Sequence, residues 1–239
     1  MGGKWRSAPR YPQPRYQTII EPFAGSAGYS LRYVDRDVIL IDKDEIIAGT
    51  WHYLVNVRED EIRGLPLLTV GQSIDDFNLT QEQRWLIGWW LNKGTTMPCK
   101  TQTSWALVHP NSQWGSAIRE RIASSLCRIR HWKIIHGDYA DAPDIEATWF
   151  IDPPYIKSPG NRYRYGNSGI SYEHLNCWSR SRKGQAIVCE NDGADWLPFQ
   201  HFADIKGKTG HRRTGVSHEA IWCHDLSTAH SISETGVSR

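Results

Sequence analysis

Short apolar runs recur along the chain: TII (18–20), VILI (38–41), WKII (132–135), ATWFI (147–151), QAIVC (185–189) and AIWC (220–223). Several are apolar without interruption rather than alternating, the pattern of strands covered on both faces. Helix-like stretches separate most of them, for example 172–182 ahead of Gln185. That alternation predicts an α/β fold with a mostly parallel sheet. Between Ile41 and Trp132 the rhythm breaks, because no pair of strands fits while 44–56, 80–93 and 115–130 read as helices. We therefore expect residues 1–54 and 131–226 to build the sheet-bearing domain and 55–130 to form a helical insertion at its edge or top. The polar, small-residue tail 227–239 is expected to be mobile.

Composition narrows the picture modestly. The 239 residues suffice for one core, or one core with a small insertion, and the formal net charge of +2 neither demands nor forbids a nucleic-acid partner. Five scattered cysteines, with no C-x-x-C pair, suit a reducing compartment. No apolar run approaches a membrane span and MGGKWRS (1–7) has no signal-peptide core, so a soluble, cytoplasmic protein without membrane association is expected.

Three constellations carry candidate chemistry. EPFAGSAG (21–28) follows the first run, and a strand leading into a small-residue turn lets a ligand approach the backbone where Gly25 and Gly28 remove bulk. Its spacing is not that of the G-x-G-x-x-G fingerprint, and such a turn can also be only a tight bend. Asp42 ends the second strand, where an acid can accept two hydrogen bonds from a ribose, although it could instead cap the helix beginning near DEII (44–47). Its place relative to the glycine turn favours the ribose. The third is DPPY (152–155), closing the fourth run. Pro153 and Pro154 can continue neither a ladder nor a helix, so an acid, Asp152, and a ring, Tyr155, are held rigidly at a strand end. HEAIWCH (218–224) alternates like a strand, so no metal is expected there.

In this order and spacing, E-P-F-A-G-S-A-G, I-L-I-D and D-P-P-Y resemble the S-adenosylmethionine-dependent DNA adenine-N6 methyltransferases, particularly the DNA adenine methylase group. Gly2, Gly3 and Lys4 resemble that group's first motif. The resemblance covers most of 1–55 and 131–225. It implies a Rossmann-like methyltransferase sheet, with 55–130 in the place of the family's target-recognition insertion. It also implies methyl transfer from S-adenosylmethionine to a flipped-out adenine of double-stranded DNA, as in bacterial or phage restriction-modification systems. Lys4 would then reach the cofactor's methionine carboxylate, Phe23 and Gly25 would line the cofactor, and Asp42 would hold its ribose. Asp138 and Tyr139, in HGDY (136–139), would edge and stack its adenine, or serve only as a turn and a core tyrosine. No aromatic residue precedes G-G-K here, a departure from the family.

The chemistry of D-P-P-Y is intelligible without the family. Adenine N6 is a poor nucleophile because its lone pair is delocalised into the ring. The Asp152 carboxylate and the Pro153 carbonyl can accept its two hydrogens, and the remaining catalysis is alignment and electrostatics. Tyr155 offers a ring on which a flipped base can stack. No metal is required.

Two basic segments flank this stretch, one with Arg119, Arg121, Arg128, Arg130 and Lys133, the other with Lys157, Arg162, Arg164, Arg180, Arg182 and Lys183. Either could track phosphates or be a solvated helix face. Arg162 and Arg164, in KSPGNRYRYG (157–166), are expected on phosphate, and Lys93 and Gln102, in NKGTTMPCKTQTSW (92–105), on base edges. Among the tryptophans, Trp85, Trp89 and Trp90 are expected in the core of the insertion, and Trp105 and Trp114 at the surface. Rival functions are an RNA or other amino-group methyltransferase, and a non-catalytic DNA-binding module on the same fold. A protein-glutamine methyltransferase is disfavoured, because that group usually has asparagine where Asp152 stands.

Overall fold

A computed structural model describes residues 4–91, 96–108, 111–156, 164, 166–209 and 213–226. The expected apolar runs become strands β1 (Thr18–Glu21), β2 (Asp37–Asp42), β3 (Lys133–His136), β4 (Ala147–Ile151), β5 (Gly184–Asn191) and β7 (Arg213–Leu226), with β6 (Gln200–Thr209) added. All seven share one sheet in the order β3-β2-β1-β4-β5-β7-β6. The first five run parallel, and β7 is antiparallel to both β5 and β6. The helices are α1 (Glu45–Asn56), α2 (Glu59–Gly64), α3 (Gln81–Leu91), α4 (Trp105–Val108), α5 (Ser116–Ser125) and α6 (Tyr172–Arg180).

The uninterrupted apolar runs have a simple cause, which is that both faces of the sheet are covered. Ile19, Val38, Leu40, Phe150 and Ile187 pack into one layer with Trp51 and Val55 of α1, Ile62 of α2, Leu86 of α3 and Ile118 of α5. Their strand neighbours Ile20, Ile39, Ile41, Trp149, Ile151 and Val188 pack into the other layer with Leu175 and Trp178 of α6, Trp196 and Trp222. Helices α2, α3 and α5 thus lie in the interval 55–130 yet share one contiguous core with the sheet.

Several local expectations are corrected. Trp114 is buried, with its indole N–H donating to the Pro66 carbonyl at 2.8 Å, while Trp105 is exposed. In α3 the buried positions are Leu86, Ile87, Gly88 and Leu91, and Trp85, Trp89 and Trp90 flank them half-buried. Two arginines of the first basic segment serve helix ends. Arg130 donates to the carbonyls of Val55 and Val57 at the end of α1, and Arg119 donates to Leu65, the C-cap of α2. Cations suit those positions, since the last carbonyls of a helix lack intrahelical partners.

Strand order falls away on both sides of the β1–β4 boundary, so the topological switch point lies at their carboxyl ends. With its antiparallel β7 inserted beside β5, this sheet has the Rossmann-like topology of class I methyltransferases. No helix of the described residues is long and apolar enough to cross a membrane.

Candidate active site

An open cavity sits at that switch point. Its wall comes from the ends of β1, β2 and β4 and the turn after β3: Glu21 to Ser26, Gly28, Asp42 to Asp44, Asp138, Tyr139, Asp152 and Pro154. Lys4 and Arg164 complete it from other parts of the chain. Six residues expected on the cofactor, Lys4, Phe23, Gly25, Asp42, Asp138 and Tyr139, and the expected catalytic acid Asp152 therefore border one space.

The glycine turn shows how the local sequence builds it. Gly25 has φ +47°, and nothing lies within 4 Å of where a Cβ would stand, so the backbone is open to the cavity. Its N–H donates to Asp42 Oδ2 at 2.9 Å, and its carbonyl accepts from the Trp51 indole of α1 at 2.9 Å. Gly28 has a different use from the one expected. A Cβ there would stand 2.6 Å from the Trp5 nitrogen and 2.9 Å from the Lys4 nitrogen, so this glycine admits the protein's own backbone and seats Lys4.

Asp42 is half-buried, and its Oδ1 accepts from the Asp44 N–H at 2.8 Å. Burial pushes its carboxyl up to about 6, against the Gly25 and Asp44 hydrogen bonds. The cap of α1 is Asp44, whose side chain accepts from Ile46 N, so Asp42 is released from capping and keeps lone pairs for a ligand. On the cavity wall the rings of Phe23 and Tyr139 pack together, 5.3 Å apart at 30°. The Tyr139 hydroxyl meets His174 Nδ1 at 2.6 Å. Asp138 caps the short turn that presents Tyr139 and lies 3.5 Å from Lys43 Nζ.

The floor is a buried charge cluster. The Lys4 ammonium donates to the Tyr155 hydroxyl and to Glu219 Oε2 and stands 3.5 Å from Asp152 Oδ1. Burial alone would lower the Lys4 pKa, but the carboxylates of Asp152 and Glu219 hold it above its usual range. Burial raises Asp152 to about 6, opposed by Lys4 and assisted by Glu219. Glu21, the acid at the head of the glycine turn, is 2 % exposed and is pushed up by burial to about 8, although its Oε1 accepts from the Ser30 N–H at 2.7 Å.

Lys4 borders the cavity, with its ammonium engaged by Tyr155, Glu219 and Asp152 of its own chain. Two expectations are revised. Tyr155 is 8 % exposed and turned inward, with the Lys4 ammonium 4.9 Å from its ring centre, so it presents no free face to a base. Gln102 is 3 % exposed, with its backbone paired to Gly71 and Gln72, and is not displayed to a groove. Arg164 pairs with Asp44 at 3.0 Å and Glu45 at 3.2 Å beside the cavity. Pro153 is buried behind Asp152, and the Pro154 carbonyl accepts from the Tyr172 hydroxyl at 2.5 Å. Gly2, Gly3, Lys93, Arg162 and the tail 227–239 lie outside the described residues.

Glu21, Tyr11 and Glu219 were not anticipated as parts of the site. A signal existed for Glu219: in HEAIWCH it shares strand parity with Ile221, which packs on the core, so an acid stands on an inward face. Among the described residues no group of three or more His, Cys, Asp or Glu could hold a metal ion.

No protein-family model matches the chain, and no curated protein matches it. A solved structure described as a conserved hypothetical protein of Streptococcus pyogenes is similar, at 11% identity and a TM-score of 0.31, over 87% of this chain and 86% of that one. A likeness that distant carries nothing about the site.

Proposed function

We propose that this protein is an S-adenosylmethionine-dependent methyltransferase acting on N6 of adenine in double-stranded DNA. The fold is consistent with a methyltransferase of the class that uses this cofactor. The observation that carries the reading is that Asp152, at the end of β4, borders the same cavity as the Gly25 turn and Asp42. The cavity suits the group. Gly25 leaves backbone open, Asp42 offers acceptors for ribose hydroxyls, the half-buried Phe23, backed by the buried Tyr139, offers a ring for a purine, and the acidic wall suits a cation.

Bound there, S-adenosylmethionine supplies a methyl group on a positively charged sulfur. The protein's own contribution is alignment. Asp152 accepts a hydrogen bond from the amino group of the target base and draws its lone pair out of the ring. With its carboxyl raised to about 6, Asp152 is ionised at neutral pH and basic enough to accept the proton that nitrogen sheds. The Pro153 carbonyl, fixed between two rigid positions, is the candidate second acceptor. The adenine and DNA assignments rest on the D-P-P-Y stretch and its resemblance, since the arginines with described side-chain partners around the site serve helix ends and acids.

Incubating the protein with cofactor labelled in its methyl group and with plasmid DNA or RNA, then digesting to nucleosides, tests this directly. Label in N6-methyldeoxyadenosine is expected. Asp152→Ala should abolish transfer while circular dichroism stays unchanged. Label confined to RNA or protein, or activity near wild type in Asp152→Ala, overturns the reading.

A further inference from the structure

Glu219 is an acid inside a sheet. It sits in the central part of β7, opposite Asn191 of β5 and Ala203 of β6, and is 7 % exposed. The β6 register slips between His201 and Ala203 immediately beside it, and the bulged Phe202 stacks on Tyr11 with ring centres 4.5 Å apart. A bulge re-aims the side chains around it. Here three donors from distant parts of the chain converge on one oxygen, Oε2: the Lys4 ammonium, the Tyr155 hydroxyl at 2.9 Å and the Tyr11 hydroxyl at 3.2 Å. Two of those donors, Lys4 and Tyr155, touch or adjoin Asp152.

We propose that Glu219 is a positioning residue for the acid of the site, anchoring Lys4 and Tyr155 in the places from which they set the orientation and charge of Asp152. The proposal rests on the methyl-transfer reading and adds to it a residue that never touches substrate.

Stability alone accounts poorly for this arrangement. A buried ion pair contributes little net stability, because desolvation offsets the attraction, and a packed apolar residue can replace it. Two carboxylates beside one ammonium are worse still as structure, since Glu219 opposes ionisation of Asp152. As a device for tuning an acid the same arrangement is apt, and shifted carboxyls cluster at functional sites for that reason. The groups facing Asp152 are Lys4 and Tyr11 from the segment before β1, Glu21 of β1, Tyr155 of its own segment, Cys189 of β5 and Glu219. Lys4 is the positive charge named among them, and Glu219 fixes where it stands.

The test uses the full chain with Glu219→Gln and the charge-keeping Glu219→Asp. The Asp152 carboxyl is followed by carbon NMR, assigned by its absence in Asp152→Asn, and kcat is measured against pH at saturating cofactor. In Glu219→Gln the Asp152 midpoint should fall by about one pH unit, since a neighbouring negative charge is gone and Lys4 is left to Asp152 alone. The acid limb of kcat should move down with it, and kcat should drop by roughly tenfold, as expected for a lost alignment. Glu219→Asp should keep the wild-type midpoint within a few tenths while lowering kcat. An unchanged midpoint and acid limb in a folded Glu219→Gln protein overturns the proposal and leaves Glu219 a structural residue. If Glu219→Gln does not fold, a wild-type kcat in Glu219→Asp overturns it instead. If the wild-type protein transfers no methyl group, the methyl-transfer reading fails, and the NMR titration still decides whether Glu219 sets Asp152.

Discussion

Glu21→Gln offers a sharp test of the electrostatics of the cavity. The wild-type carboxyl is 2 % exposed and lies near 8 rather than the ordinary 4.5, chiefly through burial. A raised carboxyl contributes stability fully below its unfolded value and loses it as pH climbs through the folded one, so the relevant window runs from pH 4.5 to about 8. Each tenfold change in proton affinity is worth ~1.4 kcal/mol, so ionising Glu21 in the fold costs on the order of 3–5 kcal/mol by pH 9. Glutamine keeps an oxygen for the Ser30 N–H, present at 2.7 Å in the wild type, and carries no charge to desolvate. The variant should match wild type near pH 4.5 and exceed it by that amount at pH 9. Urea denaturation followed by tryptophan fluorescence at both pH values measures the difference. A variant equally stable or less stable at pH 9 would show that Glu21 ionises without penalty and would refute the assigned burial cost.

Gly28→Ala places a methyl group 2.6 Å from the Trp5 nitrogen and should destabilise the fold by ~1–3 kcal/mol and slow methyl transfer by displacing Lys4, read by thermal melting and the labelled-methyl assay. Asp42→Ala should weaken cofactor binding by roughly 1.5–3 kcal/mol per hydrogen bond lost, and unchanged affinity by titration calorimetry sinks its ribose role. Arg164→Ala, which releases Asp44 and Glu45, should leave the salt dependence of DNA binding unaltered; a log–log slope smaller by about one would restore it to the phosphates. Trp114→Ala should lower stability by ~3–5 kcal/mol in urea melts, whereas an exposed tryptophan would give almost nothing.

Strands β1, β2, β4 and β5 were legible because they are buried on two sides, which forces continuous apolar runs such as Val38 to Ile41 and Ala147 to Ile151, whereas β3, at the sheet edge, is only half-buried. Strand β6 was not, since it lies at the sheet edge, where Gln200, His201 and Asp204 are exposed and no continuous apolar run is required. Trp114 was misjudged from its neighbours, because Asn111, Ser112 and Gln113 read as turn although the indole reaches across to Pro66. Gln102 misled in the same way: its backbone bridges to Gly71 and Gln72, a pairing that composition does not announce. At the site, Asp42 and Asp152 could be placed because strand ends in an open parallel sheet converge. The partner of Lys4 could not, because Glu219 is 215 positions away and meets it only through the antiparallel return of β7.

That separation has a kinetic consequence. Closing a loop of such length is entropically unfavourable, so contacts between distant segments form late relative to the β1–β2 pairing, whose partners are 19 positions apart. Until β7 docks, Lys4 has nowhere dry to go, since an ammonium buried without Glu219 would be left half-compensated. The floor of the cavity is thus completed by a single antiparallel strand, whose docking sets Glu219 against the lysine.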